Sequence, residues 1–469
     1  MFRTVFLILF GNAAASLLLL ARNLVVARLI PVEDYGIAST FAITLAVIEM
    51  ISALGLQQQI VQARDGDDPD FQAALQGFQL LRGILSGAAL FLLAGPLADF
   101  MNVPEAAWAY RVMALVPVLN ATVHFDIHRL NRRMVFAPML LSSGLPALIT
   151  LLAVWPMAAW FGDYRVLLYA IVGQYVLMSL VSHLMAERPW RLRLDRAVMG
   201  RALQFGWPLL VNNILLFGVF NGDRVIVGRE LGMAELAVFS MGMTLTLTPT
   251  LVLAKSAQNY FLPLLARSPR DGADSEERFV RLARVVFQLH LAFGTALATG
   301  ALLAGPFLVH LLLGVKYAPL TGLIVWFATM QGLRVFKGGP SIIALARGRT
   351  ENAMIANLAR ISVIPLAWWF AVNGGDVRAI LLTGIGGEAL GFLTSLLVLR
   401  YRLGFRLRPL VLSCLAALAC LGAVLVAGLP GEAGSSRLLL VVAALLFAFS
   451  FVPMHELRNY AFRRRLGTK

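Results

Sequence analysis

Charged residues are scarce in this chain. Asp, Glu, Lys and Arg make up 14% of its 469 residues, while apolar residues make up 59%. Soluble domains carry about 25% charged residues, so the composition excludes an ordinary soluble protein. The net charge is +15, but the basic residues form short groups between apolar runs rather than one continuous stripe. The sequence therefore argues against a nucleic-acid partner.

Residues and motifs for catalysis are also lacking. The two cysteines, Cys414 and Cys420, share one apolar segment and have no metal-ligand spacing. The sequence contains no H-E-x-x-H pair, no phosphate-binding glycine loop and no nucleophile elbow. We therefore predict no metal, no cofactor and no enzymatic activity. A membrane-embedded enzyme is the alternative, although it would need a long loop bearing acids, histidines or arginines.

Long apolar runs dominate the sequence, and each is long enough for a transmembrane helix. The predicted spans are 5–29, 36–57, 76–100, 106–127, 135–161, 165–186, 203–229, 235–262, 285–313, 319–345, 353–373, 378–399, 409–428 and 438–454. The first run resembles a signal peptide, but hydrophobicity resumes at Leu17, so we interpret it as a span. The predicted fold class is an all-α polytopic membrane protein with about 14 transmembrane helices.

Basic residues predict the orientation of these spans. The N-terminal side and every second loop carry about 26 lysines and arginines, whereas the opposite side carries about six. Lysine and arginine accumulate on the cytoplasmic side of membrane proteins. Both termini are therefore predicted to be cytoplasmic.

An internal repeat predicts the domain organisation. RNLVVARLIPVEDYGIAS from Arg22 aligns without a gap with DRVIVGRELGMAELAVFS from Asp223, at an offset of 201 residues. An even number of spans separates the copies, which is typical of parallel repeats and of alternating access. The predicted parts are an N-lobe at 1–187 (spans 1–6), a basic linker at 188–202, a C-lobe at 203–400 (spans 7–12) and, at 401–469, spans 13 and 14 with a basic tail.

Several charged residues fall inside the predicted spans, where charge is unfavourable and often functional. The basic candidates for a substrate anion are Arg22, Arg28, Arg224, Lys255, Arg334, Lys337 and Arg360. The candidate coupling carboxylates are Glu49, Asp223 and Glu388. Arg82 and Arg111 lie nearer span ends, where long side chains reach the headgroups and serve as anchors.

The candidates carry different alternatives. Arg28 ends its span beside Pro31, so anchoring is at least as good an interpretation as a binding role, whereas Arg22 lies about 9 Å deeper. Arg334 and Lys337 share one helix face, and we expect a bend or break at the Gly338-Gly339-Pro340 that follows. Asp223 with Arg224 could be a local structural pair. Glu49 and Glu388 could carry protons or could pair with arginines.

The first and second predicted spans carry a family resemblance. ARLIPVEDYGIAS and ALGLQQQIVQARD, followed later by FGWPLLVNNILLFGVFNGDRVIVGRELG, resemble the polysaccharide exporters. These are O-antigen-type flippases of the multidrug/oligosaccharidyl-lipid/polysaccharide superfamily. The resemblance implies a flippase that moves an undecaprenyl-diphosphate-linked oligosaccharide across the membrane. The implied partners are that substrate, membrane lipids and other glycan assembly proteins. The alternatives are a multidrug exporter of the same fold and a membrane-embedded polysaccharide polymerase or ligase. The implied location is a bacterial inner membrane.

The stretch from Ala21 to Leu29 is also similar to the first span of the lipid II flippase branch, A-R-[DN]-x-[IV]-V-A-R-[IL]. In that branch the two arginines face a central cavity and bind the carrier diphosphate, which implies the same for Arg22 and Arg28. Pro249 and Pro263 also match, but the acidic–basic pair before the first proline is Met243-Thr244 here. Lys255 or Arg334 would have to replace that contact.

Overall fold

The computed structural model describes residues 2–52, 54–266, 273–349, 351–429 and 433–465. All regular structure in these ranges is helical, which confirms the predicted all-α class. Two groups of basic positions counted for the orientation lie outside the described residues. They are Arg267 with Arg270, and the end of the predicted tail at 466–469.

The N-terminal half contains eleven α-helices. They are α1 Phe2–Leu29, α2 Val32–Ser52, α3 Leu56–Gln62, α4 Pro69–Phe100, α5 Ala107–Met113, α6 Leu115–Ala121, α7 Asp126–Arg132, α8 Ala137–Phe161, α9 Arg165–Leu184, α10 Arg196–Ile226 and α11 Met233–Ala266. A 3₁₀ turn at Pro104–Ala106 precedes α5, and a π-helical turn at Val227–Leu231 extends α10.

Nine further helices follow. They are α12 Ala273–Leu313, α13 Ala318–Thr321, α14 Ile324–Ala346, α15 Glu351–Ile361, α16 Ile364–Val372, α17 Val377–Leu403, α18 Val411–Ala427, α19 Ala433–Ser450 and α20 His455–Arg465. Short 3₁₀ turns at Val315–Tyr317 and Arg408–Leu410 precede α13 and α18.

Nine helices in the described ranges are long and apolar enough to cross a bilayer. The number rises to ten if Pro104–Ala121 and Asp126–Arg132, which meet at a 46° bend, form one span. Every predicted span overlaps one, two or three consecutive helices. The chain is thus a multi-pass membrane protein, and the count of 14 spans stays a prediction.

The chain divides into two compact units, Met1–Ala237 (unit 1) and Val238–Lys469 (unit 2). In unit 1, α10 packs along α2. The basic stretch before α10 lies against the start of α4, where the Arg193 amide donates to the Ala73 carbonyl at 3.1 Å. Arg188 donates to the Gln72 side chain at 3.0 Å. The lobe boundaries expected from the repeat remain predictions.

Of the bend or break expected at Gly338-Gly339-Pro340, the break does not occur, because α14 runs through these residues from Ile324 to Ala346. The bend stays a prediction. The glycines have a packing role instead. A Cβ atom at Gly338 would lie 2.8 Å from Cδ2 of His290 on α12. Proline in a helix interior removes one hydrogen bond, and this helix tolerates that loss because it is packed tightly along α12.

The turns of the two repeat copies meet within unit 1. Gly36, at the start of α2, lies so close to Met233 that a Cβ atom would be 1.9 Å from the Met233 carbonyl oxygen. Nearby, Asn102 after α4 donates to the Arg229 carbonyl at 2.7 Å, and the Arg229 guanidinium donates to the Phe100 carbonyl at 2.7 Å. This end of unit 1 therefore depends on close backbone contact.

We expect Gly36→Ala to destabilise unit 1 by about 1–3 kcal/mol, because the methyl group must displace backbone rather than a flexible side chain. Thermal unfolding of the purified protein measures the change. Gly144→Ala on α8 is the matched control, since a Cβ atom there meets nothing within 4 Å. Equal melting temperatures for the two variants would contradict the tight-contact explanation.

Candidate functional site

Arg22 is buried in the last third of α1, with 6% of its surface exposed. Its Nη1 donates to Oε1 of Gln174 on α9 at 2.5 Å. Its Nε is buried and has no hydrogen-bond partner in the described part of the chain. A neutral amide orients the guanidinium without neutralising it, so Arg22 keeps its full positive charge inside unit 1.

Glu49 on α2 contacts Tyr175, the residue that follows Gln174 on α9. The Tyr175 hydroxyl donates to Oε1 of Glu49 at 2.6 Å. Glu49 is exposed in the structure, unlike Arg22. Arg82 on α4 is half-buried and interacts electrostatically with Glu49. Arg82, assigned to anchoring from sequence, thus belongs to the surroundings of this carboxylate.

Two more residues extend this group. Tyr35 on α2 lies near both Arg22 and Arg224. Arg224 on α10 is half-buried, and its Nη1 lies 3.4 Å from Oδ1 of Asn221, one helical turn earlier. Asp223 precedes it and is also half-buried. We call Arg22, Tyr35, Glu49, Arg82, Gln174, Tyr175 and Arg224 the unit 1 cluster.

Sequence reasoning missed Gln174 and Tyr175. They lie in an uncharged, apolar-looking span, so neither charge nor spacing marked them. In the structure α9 packs against α1 and α2, where Gln174 contacts Arg22 and Tyr175 contacts Glu49. Arg28 is exposed in the last turn of α1, as the anchoring interpretation expects of a helix-end arginine.

Unit 2 brings three predicted basic residues and one predicted carboxylate together. Arg334 on α14 donates from Nε to Oε1 of Glu388 on α17 at 2.8 Å, and its Nη2 lies 2.7 Å from the same oxygen. Arg360 on α15 also pairs with Oε1 of Glu388. Glu388 is 3% exposed. One carboxylate oxygen thus holds two guanidinium groups.

Asn357 completes this group. Its Oδ1 accepts from Nζ of Lys337 at 2.9 Å and from Nη1 of Arg360 at 3.0 Å. Asn357 and Arg360 share a face of α15 at the i, i+3 spacing, as Arg334 and Lys337 do on α14. We call Arg334, Lys337, Asn357, Arg360 and Glu388 the unit 2 cluster. Lys255, by contrast, is exposed on α11 and has no partner among the described residues.

Glycines on α17 let this group form. A Cβ atom at Gly391 would lie 2.5 Å from Cγ of Arg360, and one at Gly387 would lie 2.6 Å from Cγ2 of Val363. The face of α17 beside Glu388 therefore carries no side chains at Gly387 and Gly391, so the aliphatic part of Arg360 packs directly against the helix backbone. The stretch GIGGEALG therefore forms a packing surface that places Glu388 within reach of both arginines.

Each unit therefore holds more positive than negative charge at its cluster. In unit 2 the basic residues Arg334, Lys337 and Arg360 accompany Glu388. In unit 1 Arg82 interacts with Glu49, while Arg22 and Arg224 lie near Tyr35. Buried cations need partners or an anion from outside, and arginine has the planar donor geometry that suits phosphate. The clusters can bind an anionic group, and the carboxylates can exchange a proton.

Comparison with known proteins is consistent with this chemistry. Residues 25–321 match the family described as polysaccharide biosynthesis protein. The succinoglycan biosynthesis transport protein ExoT of Rhizobium meliloti (strain 1021) is 23% identical over 252 residues. That alignment covers 53% of this chain and 50% of ExoT, so the chain spans about half the length of this relative.

Two solved structures share the fold. The lipid II flippase MurJ, in an inward closed conformation, superposes with a TM-score of 0.70 at 12% identity, over 97% of this chain and 98% of MurJ. An inward-facing multidrug resistance transporter of the MATE family superposes with a TM-score of 0.62 at 17% identity, over 83% of this chain and 94% of that transporter. At these identities the likeness shows the fold alone.

We expect Glu388→Gln to destabilise unit 2 by about 3–5 kcal/mol, because two buried guanidinium groups lose the carboxylate they share. Thermal unfolding in detergent measures the loss. The double variant Arg360→Met, Glu388→Gln provides a coupling test, since contacting residues show non-additive effects. Additive losses in the double variant would mean that the Arg360–Glu388 contact does not contribute to stability.

Proposed function

Because this chain belongs to the polysaccharide biosynthesis protein family, we propose that it is a flippase for an undecaprenyl-diphosphate-linked oligosaccharide. The substrate would be an O-antigen, capsule or exopolysaccharide repeat unit, moved from the cytoplasmic to the periplasmic leaflet of a bacterial inner membrane. The family membership agrees with the resemblance to polysaccharide exporters seen in the sequence. The functions of ExoT and MurJ, transport in succinoglycan biosynthesis and lipid II flipping, support the proposal.

The observation that carries the proposal is the buried excess of positive charge in each unit. A diphosphate cannot cross hydrocarbon without compensating charge. Arg22 offers an oriented guanidinium with a donor unused by the described residues. Arg334, Lys337 and Arg360 offer three cations around one carboxylate. A multidrug exporter that takes organic cations would instead need an excess of carboxylates, so the charge balance disfavours that alternative.

The proposed mechanism is alternating access across 14 spans, with two six-helix lobes in a parallel repeat and two further helices at the C-terminus. Both termini would be cytoplasmic. The diphosphate would bind the arginines, and the lipid tail would remain in the bilayer. Proton exchange at a carboxylate would reset the lobes, with the membrane potential alone as the second candidate drive.

Of the two carboxylates, Glu49 is the better proton carrier in this proposal. Glu49 is exposed and accepts a hydrogen bond from a neutral phenol. Glu388 is buried and holds two arginines, so removing its charge would break two ion pairs at once. A proton carrier must be accessible, and its protonation must not break strong ion pairs. Both requirements favour Glu49 over Glu388.

Deletion of the gene in its host, followed by extraction of lipid-linked glycans and an assay of their sidedness, tests the function directly. We expect the diphosphate-linked glycan to accumulate in the cytoplasmic leaflet. Complementation with the intact gene should restore normal levels. A deletion strain with no such accumulation would overturn the flippase proposal.

We expect Arg22→Gln and Arg334→Gln each to lower translocation at least about tenfold at normal protein abundance, because each loses a charge-assisted hydrogen bond to phosphate. Complementation of the deletion strain, with quantified membrane protein, measures the effect. Arg111→Gln is the control, since Arg111 is exposed near a span end. Wild-type translocation in both variants would leave the two arginines with structural roles.

We expect Glu49→Gln to abolish stimulation of transport by a pH gradient, because the amide keeps the Tyr175 contact but cannot exchange a proton. Transport in vesicles with an imposed gradient, at clamped membrane potential, measures this. Glu105→Gln, at an exposed position, should respond like the wild type. Loss of stimulation in Glu388→Gln instead would assign the proton to unit 2. A wild type indifferent to the gradient would favour the membrane potential.

A further inference from the structure

A second positively charged site lies at one end of unit 2. A cavity of about 1020 Å³ opens there between the start of α12, the ends of α14 and α17, and α20. Its volume is at the upper end of the range for small-molecule pockets, roughly 300–1,000 Å³. Six arginines line it against three glutamates. The arginines are Arg281, Arg284, Arg347, Arg349, Arg402 and Arg406, and the glutamates are Glu276, Glu277 and Glu456.

The glutamates around this cavity do not neutralise all of its arginines. Arg347 pairs with Glu276, and its Cζ lies 3.8 Å from the centre of the Phe279 ring. Arg284 reaches Glu456 at 3.4 Å. Glu351, just outside the lining, is shared between Arg349 at 3.5 Å and Arg402 at 3.8 Å, distances too long for strong charge-assisted hydrogen bonds.

Donors are left over in the described lining. Arg281 and Arg406 have no ion pair or hydrogen bond to any described residue, and the buried Nε of Arg284 also has no partner there. These donors come from α12 and from the segment after α17, so they converge on the cavity from different parts of unit 2. Convergent guanidinium groups with free donors favour a group with several acceptor oxygens.

The lining also has an apolar component. Val280, Ile343, Leu403 and Phe405 line the same cavity as the arginines, and the cavity lies where the candidate membrane span α12 begins and the candidate membrane span α17 ends. A basic pocket between the ends of transmembrane helices is a site where anionic lipid headgroups bind. The combination suits a phosphate group attached to an apolar or glycerol-like body.

We propose that this cavity is a binding site for a phosphate-bearing anion, separate from the two clusters in the spans. Two sources share this chemistry: the headgroup of an anionic phospholipid and a soluble phosphate or diphosphate. The proposal does not depend on the flippase function, because it rests only on the lining of unit 2. A bound phosphate would connect α12 with the segment after α17 and would stabilise their packing.

The test uses the full chain and two matched double variants. Arg281→Gln with Arg406→Gln removes the two arginines of the cavity that have no ion pair or hydrogen bond to a described residue. Arg278→Gln with Arg400→Gln removes the same number of charges from exposed positions on α12 and α17 that do not line the cavity. Matching melting temperatures in the absence of ligand establish that all three proteins are folded.

The lipid arm measures phosphatidylglycerol retained by the protein in phosphatidylcholine nanodiscs, by native mass spectrometry. The soluble arm measures the shift in melting temperature with inorganic diphosphate in zwitterionic detergent. We expect the wild type and the control variant to bind in at least one arm, and the cavity variant to bind at least about tenfold more weakly there. Retention of the lipid alone identifies a headgroup site, and a response to diphosphate alone identifies a soluble ligand. Binding in neither arm, or equal losses in both double variants, would overturn the proposal.

Discussion

A guanidinium group inside an apolar helix bundle must be held by other polar groups, and this constraint organises the structure of both units. Arginine stays protonated under all ordinary conditions, so it cannot avoid the cost of burying a charge by losing its proton. The side-chain amide of Gln174 on α9 accepts a hydrogen bond from Arg22, whereas the Glu388 carboxylate on α17 pairs with Arg334 and Arg360. In each case the contact joins helices distant in sequence. The same side chains that provide positive charge therefore also fix the packing of their units.

Much of the fold could be predicted because hydrocarbon thickness is a simple constraint. Apolar runs of about 20 residues must be helices when they cross a membrane, and each predicted span overlaps a helix. Only the break predicted as one of two outcomes at Gly338-Gly339-Pro340 was wrong. These residues break isolated helices, but in this protein α12 lies against them and α14 continues. Tertiary packing, which the linear pattern does not contain, decided the outcome.

The candidate sites were predictable to the extent that charge marks them. Arg334, Lys337, Arg360 and Glu388 stand out in apolar sequence, and the structure brings all four together. Asn357, Gln174 and Tyr175 carry no charge, so nothing in the sequence separated them from ordinary helix-to-helix contacts. The i, i+3 spacing of Asn357 and Arg360 was the one signal available for Asn357. Sequence finds the charges, whereas the neutral groups that orient them appear only in three dimensions.

The two clusters differ in how far their charge is compensated. Glu388 offsets part of the charge of Arg334 and Arg360 at contact distance, whereas Gln174 offers Arg22 only a dipole. At low effective dielectric a carboxylate in contact reduces the attraction for an incoming anion far more than an amide does. In the proposed function, Arg22 would therefore attract a phosphate more strongly than Arg334 or Arg360 taken singly. The attraction of the unit 2 cluster would depend on the charge of Glu388. In the proposed alternating access such an asymmetry would be useful, because a transporter must release its substrate as well as bind it.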